Sequence, residues 1–160
     1  MFKTPRSFSY SSASVYKQCP RRWKHKYIDK LPDPTGEAAL VGTFAHEVLE
    51  ELCKEEPSLR TEARANEIAA TIWPKIADRK DFKNLKLNED SQREFRWKAW
   101  EAIQGLWRLE NPSQVEIEAT EQKLSTSLSG VPFYGIVDRI DRDEDGHYDF
   151  DESTIDGEII

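Results

Sequence analysis

Residues 131–142 read VPFYGIVDRIDR, and one acid within them sets the reading of the whole chain. Asp138 stands between Ile136 and Ile140, each two positions away. The β-branched and aromatic content marks the stretch as a strand, and alternation along a strand puts those three side chains on one face. A carboxylate held among isoleucines is costly to bury unless it is paired or bound to a cation. Upstream, QVEIEAT at 114–120 alternates Val115, Ile117 and Ala119 with Glu116 and Glu118, which predicts a strand with one wet face. LSG at 128–130 is a turn between the two strands.

Downstream, DEDG at 143–146 predicts a tight turn and HYDFDEST at 147–154 the start of a third strand. There Tyr148, Phe150 and Glu152 share a face, and His147, Asp149 and Asp151 share the other. With Tyr148 and Phe150 turned to the core, Glu152 turns inward as well. Adjacent antiparallel strands then offer Asp138 and Glu152 together, a setting for a hard cation such as Mg²⁺ or Mn²⁺. The plain alternative is that these are ordinary acids on a chain with 30 Asp and Glu residues.

Before residue 111 the period is helical. Ser9 or Ser11 can cap a first helix over roughly 12–29, where Val15, Cys19, Trp23 and Tyr27 recur at a spacing of four. LPDPTGE at 31–37 is a loop. A second helix over GTFAHEVLEELCKEE, 42–56, carries the stripe Ala45, Val48, Leu49 and Leu52. His46 lies beside that stripe, and Gly42 is expected to open the helix and admit a neighbouring backbone. A third helix starts near Arg60 and is kinked or split at Pro74. KDFKNLKLNED, 80–90, reads as a polar connection before a fourth helix over roughly 90–109, stopped by Asn111-Pro112. The order is helices first and an antiparallel β-meander after, a mixed α+β arrangement of α/β class within one domain over 1–160.

The net charge of −7 is unevenly spread. Lys3, Arg6, Lys17, Arg21, Arg22, Lys24, Lys26 and Lys30 oppose Asp29 alone in the first thirty residues, so a basic head sits on an acidic body. That suits local contact with phosphates and argues against tight, charge-driven, non-specific binding. The opening MFKTPRSFSYSSAS lacks the apolar middle of a signal peptide, and no apolar run is long enough for a bilayer, which points to the cytoplasm. Cys19 and Cys53 do not make a disulfide framework.

SYSSASVYKQCPRRWKHKY at 9–27 resembles the opening helix of RecB-like nucleases of the PD-(D/E)XK superfamily, in Ser9, Ser11, Tyr16, Cys19, Pro20, Arg21, Trp23 and Tyr27. GTFAHEVLE at 42–50 is similar to that family's Gly-x-x-x-His motif, and GIVDRIDRDEDG at 135–146 to the motif carrying its first acidic metal ligand. The resemblance covers nearly the whole chain, with the motifs in order. It implies a restriction-endonuclease-like core, a DNA substrate and a Mg²⁺ or Mn²⁺ site held by His46, Asp138 and Glu152, with Asp151 as the alternative acid. It implies exonuclease-type phosphodiester hydrolysis of the kind used in recombinational repair, phage replication and CRISPR adaptation.

Arg21, Arg22, Lys24 and Lys26 then read as phosphate contacts and Tyr16 as a base-stacking platform, while Trp23 and Tyr27 read as core. Cys19 resembles an iron–sulfur ligand of some relatives, but with only Cys53 besides it the chain cannot complete a cluster. It reads instead as a small buried helix-face residue. The family's third motif ends in Asp-x-Lys-Thr or Glu-x-Lys-Thr. Counting from Glu152 the lysine position holds Thr154, and counting from Asp151 it holds Ser153. The strand-face argument favours Glu152. The family's following Gln-Tyr helix also lacks a counterpart here. The expectation is therefore a truncated nuclease domain with a metal site but little or no hydrolysis, or a non-catalytic DNA- or partner-binding descendant. A helicase or another polypeptide is the expected partner supplying the missing motifs.

Overall fold

Apolar side chains at every fourth position organise the helical half of the chain. The computed structural model describes residues 7–142, 145 and 147–150. In it, α3 (Glu37–Cys53) buries Leu40, Phe44, Val48 and Leu52, α4 (Glu62–Asp78) buries Ile68, Ile72 and Ile76, and α6 (Glu89–Leu109) buries Phe95, Ala99 and Ile103. Each helix thus carries one apolar stripe, and the stripes meet in a common core. Phe95 is its hub, with ring centroids 5.1 Å from Phe82, 6.0 Å from Trp73 and 6.4 Å from Phe44. Thr61 and Asn88 cap α4 and α6 by accepting from the Arg64 and Ser91 amides.

Several local expectations change. Helix α4 runs through Pro74 without splitting, because Ile72 and Ile76 are buried on either side of it. The supposed polar connection holds a short helix, α5 (Lys80–Asn84), ordered by burial of Phe82. Gly42 does not open the second helix: α3 begins at Glu37, and a Cβ at Gly42 would meet nothing within 4 Å. No backbone therefore makes a close approach there among the described residues.

The expected first helix is broken in two. Ser9 caps α1 (Tyr10–Gln18), Cys19 adopts an extended conformation, and α2 (Pro20–Trp23) leads into a π-helical turn over Lys24–Ile28. Pro20 lacks an N–H and disfavours the helical conformation at the residue before it, which places the break. Cys19 is accordingly exposed, not buried on a helix face, and its sulfur accepts from the Arg22 amide as the cap of α2. Trp23 and Tyr27, expected in the core, lie outside it and are half-buried: Trp23 stacks with Phe8 and Tyr27 and is hydrogen-bonded through Nε1 to Ser12 Oγ at 2.8 Å, a small aromatic group formed around the broken helix itself.

Strands β2 (Glu116–Leu128) and β3 (Val131–Arg142) form a long antiparallel hairpin turned by Ser129 and Gly130, both at positive φ. Strand β4 (Tyr148–Phe150) adds antiparallel to the end of β3, with Ile140 opposite Phe150. The expected meander is therefore present, but the sheet is mixed. A strand absent from the sequence reading, β1 (Phe8–Ser9), pairs parallel to the start of β3 at Phe133 and Tyr134. Two residues give too little periodicity to show in a sequence, and the pairing partner is more than a hundred positions away. Among the described residues, no helix is long and apolar enough to cross a membrane.

Candidate functional site

The hairpin brings Asp138 against α3. Helical geometry leaves His46 at the edge of the stripe formed by Ala45 and Val48, so its ring leaves the core. Its Nδ1 lies 3.6 Å from Asp138 Oδ2, with side-chain exposures of 56% and 23%. The isoleucines flanking Asp138 are unequal. Ile140 is buried and Ile136 is 51% exposed, so the carboxylate stands at the border between core and solvent. That is a place where a small ion can reach an acid held in fixed geometry.

A further acid belongs to this group. The pairs Thr120–Arg139 and Gln122–Val137 put Glu121 across the hairpin from Asp138. Burial, and then the fields of Asp138 and Glu50, push the Glu121 carboxyl above its ordinary pKa, partly offset by His46 and Lys54. Glu121 is also in the left-handed conformation at φ 51°, which costs a non-glycine residue roughly 1–2 kcal/mol. Local strain of this kind gathers at functional sites. The alternation expected from Val115 through Ile117 to Ala119 is broken by a β-bulge between Ile117 and Ala119, which pair with the adjacent residues Asp141 and Ile140 and so lie on opposite faces; no period of two therefore leads to Glu121 in the sequence.

The sign of the shift gives a prediction. The folded state holds the Glu121 proton more tightly than the unfolded chain, so its contribution to stability is present below the ordinary carboxyl range and lost as pH rises through the raised value. Glu121→Gln is expected to raise the melting temperature modestly at neutral pH and to flatten its pH dependence between mildly acidic and neutral conditions. Thermal unfolding across a pH series reads both.

Next to Asp138, Arg139 enters the interior. Its guanidinium is 9% exposed and donates to Glu110 through Nη1 and Nη2, at 2.5 and 2.8 Å, and to Asp141 Oδ2 at 2.8 Å. Burial opposes its charge, but the hydrogen bonds to Glu110 and Asp141 prevail and hold the pKa above the usual arginine range. Cys53 at the end of α3 packs beside it, with its thiol pKa raised by burial. Arg60 fastens the neighbouring loop, donating to the carbonyls of Glu55 at 3.0 Å, Pro112 at 3.2 Å and Val115 at 2.8 Å.

The basic head is more neutral than its sequence implies. Arg22 and Lys26 share Asp33, with nitrogen–oxygen distances of 3.3 and 3.0 Å, and Lys24 and His25 share Asp29 at 2.8 and 2.9 Å. The hydrogen bonds from Lys24 and Lys26 lead in holding the Asp29 and Asp33 carboxyls below the usual range. Arg21 is exposed, and Tyr16 is 54% exposed while meeting Trp23 edge-on at 5.5 Å. Of the residues anticipated from sequence, His46 and Asp138 come together. Tyr16 and Arg21 face solvent, whereas Arg22, Lys24 and Lys26 are engaged by acids. Glu152, Asp151, Ser153 and Thr154 lie outside the described residues.

As a donor, the Asp138 carboxylate suits Mg²⁺ or Mn²⁺, whereas an imidazole nitrogen such as that of His46 is a ligand more typical of later transition metals; the two atoms stand 3.6 Å apart. Among the described residues, no group of three or more His, Cys, Asp or Glu side chains is assembled to hold a metal ion. Among the described residues, His46 and Asp138 are one imidazole and one carboxylate brought together, two donors and no more.

Comparison with curated proteins and with solved structures gives no match to the chain. The family model described as the PD-(D/E)XK nuclease superfamily matches residues 7–150. That span takes in His46, Asp138, the helical core and all four strands, and the mixed α+β architecture agrees with a restriction-endonuclease-like core. The chain therefore belongs to the PD-(D/E)XK nuclease superfamily.

Proposed function

We propose that this chain carries the metal site of a RecB-like, Mg²⁺- or Mn²⁺-dependent DNA nuclease in which hydrolysis is severely reduced. The observation that supports this reading best is the 3.6 Å approach of His46 to Asp138, contributed by a helix and a strand far apart in sequence. His46 and Asp138 would hold the ion, with Glu152, or Asp151 in the alternative register, completing the set. When bound, the ion would polarise a scissile phosphate and acidify an attacking water. The Asp138 carboxylate stands beside the imidazole, and the left-handed turn at Glu121 sets a further carboxyl group across the hairpin from it. The position of the lysine that would orient the water and offset developing charge holds Thr154 when the acid is Glu152 and Ser153 when it is Asp151, and neither side chain carries a positive charge.

Mn²⁺ titration and a nuclease assay on wild-type protein and Asp138→Ala test the reading. Wild type is expected to bind Mn²⁺ and to cleave DNA weakly or not at all, and Asp138→Ala to lose the binding. Binding indifferent to Asp138 would remove the proposed site, and robust Asp138-dependent cleavage would remove the claim of crippled hydrolysis.

A second reading, a non-catalytic DNA-binding descendant, is favoured by the missing lysine and predicts DNA affinity unaffected by Asp138→Ala. For either reading, Arg21 and Tyr16 are the accessible contacts of the basic head. Arg22, Lys24 and Lys26 join only by exchanging Asp33 or Asp29 for phosphate. Arg21→Ala is expected to reduce the slope of log K against log salt by about 1. Arg22→Ala should reduce it less. Fluorescence anisotropy with a labelled oligonucleotide over a salt series measures both.

A further inference from the structure

We infer that Arg139 is a positioning residue that locks Asp138 against His46. For its functional meaning this inference rests on the metal-site reading above. The two residues are peptide neighbours, so whatever fixes the backbone at Arg139 fixes the direction in which Asp138 leaves β3. Arg139 is fixed from three sides. Glu110, the residue ending α6, takes two parallel hydrogen bonds from its guanidinium. Asp141, two residues along the same strand, takes both Nε at 3.1 Å and Nη2 at 2.8 Å. Cys53, ending α3, lies within reach of the same side chain.

A planar fork held by two carboxylates has one orientation, unlike a lysine ammonium that can swivel. Helix α3 supplies His46 from its middle and Cys53 from its end, and α6 packs against α3 in the core. The Glu110–Arg139 pair therefore ties β3 to the same rigid layer that carries His46. The short approach of His46 to Asp138 follows from this tie, since the partly exposed histidine ring has no comparable packing of its own.

The proposal concerns geometry, so it is testable with no metal present. Histidine ring NMR resonances of full-length wild type, Asp138→Asn, Arg139→Lys, Glu110→Gln and Arg142→Lys would be recorded at one fixed pH. Asp138→Asn calibrates the shift that marks loss of the carboxylate beside His46. Arg139→Lys and Glu110→Gln are expected to shift the His46 ring resonances by at least half that amount while backbone amide spectra stay folded. Arg142→Lys, on the same strand but paired at the surface with Glu116 and Glu118, is expected to leave them in place. Unmoved His46 resonances in folded Arg139→Lys or folded Glu110→Gln would overturn the inference.

A parallel Mn²⁺ titration separates this inference from the site reading. Loss of an orienting partner typically costs 10–100-fold in metal affinity, so the folded variants are expected to fall by about that factor. Equal affinity in wild type and Arg139→Lys would also count against the positioning role. Wild-type protein that fails to bind Mn²⁺, with ring shifts as expected, would instead condemn the metal site and leave the geometric lock standing.

Discussion

Arg139→Ala is expected to destabilise the fold by about 3–5 kcal/mol, because removing one partner of a buried ion pair strands the other. Glu110 and Asp141 would be left facing each other in the space vacated by the guanidinium, two carboxylates with side-chain exposures of 24% and 17%. A chain of this size has only about 5–15 kcal/mol of net stability, so the variant is expected to lie close to unfolding at physiological temperature. Urea denaturation followed by tryptophan fluorescence measures the loss. Glu110→Gln should lose less, since the amide still accepts from the arginine. A variant within about 1 kcal/mol of wild type would mean that water enters and solvates the two acids, and that the buried network is not what holds β3 to the helices.

Thr154→Lys carries the other large effect. If the proposed function holds, the family's lysine position follows its acid by two residues, which is Thr154 when the acid is Glu152 and Ser153 when it is Asp151. Restoring a positive group aimed at developing negative charge is worth on the order of 10²–10³ in rate. Thr154→Lys is therefore expected to raise Mn²⁺-dependent cleavage by about 10²–10³-fold. Ser153→Lys should leave it near the starting rate. A single-turnover assay on a labelled oligonucleotide, with Asp138→Ala added to Thr154→Lys as the control, reads the gain. The reverse pattern would assign the acid to Asp151, and no gain from either would point away from a site lacking only its lysine.

How much of this could be read in advance differs from residue to residue. Of the stripe expected on the second helix, Ala45, Val48 and Leu52 are buried and Leu49 is half-buried, as helical spacing requires, while Phe44 adds to that face and Leu40 joins it because the helix starts at Glu37, five residues earlier than expected. The hairpin was legible from alternation on either side of a Ser-Gly turn. His46 and Asp138 were legible only as members of motifs, since neither a lone helical histidine nor one acid among 30 has a distinguishing pattern. Arg139 could not be read, because its partners among the described residues include groups at the end of α6 and the end of α3, far from it along the chain. Arg22, Lys24 and Lys26 were read correctly as a basic cluster and incompletely as free charge, because Asp29 and Asp33 fold back onto them.

The sequence alone determined the order of helices and then strands, and the periodic apolar positions that become the core. These are properties of neighbours along the chain, where spacing of two or four fixes which side chains share a face. Tertiary structure alone decided that β1 joins the sheet in parallel, that Glu121 turns left-handed across from Asp138, and that a buried arginine ties the acid's strand to the histidine's helix. Those facts depend on contacts between segments far apart in the chain, and no local period encodes such a contact.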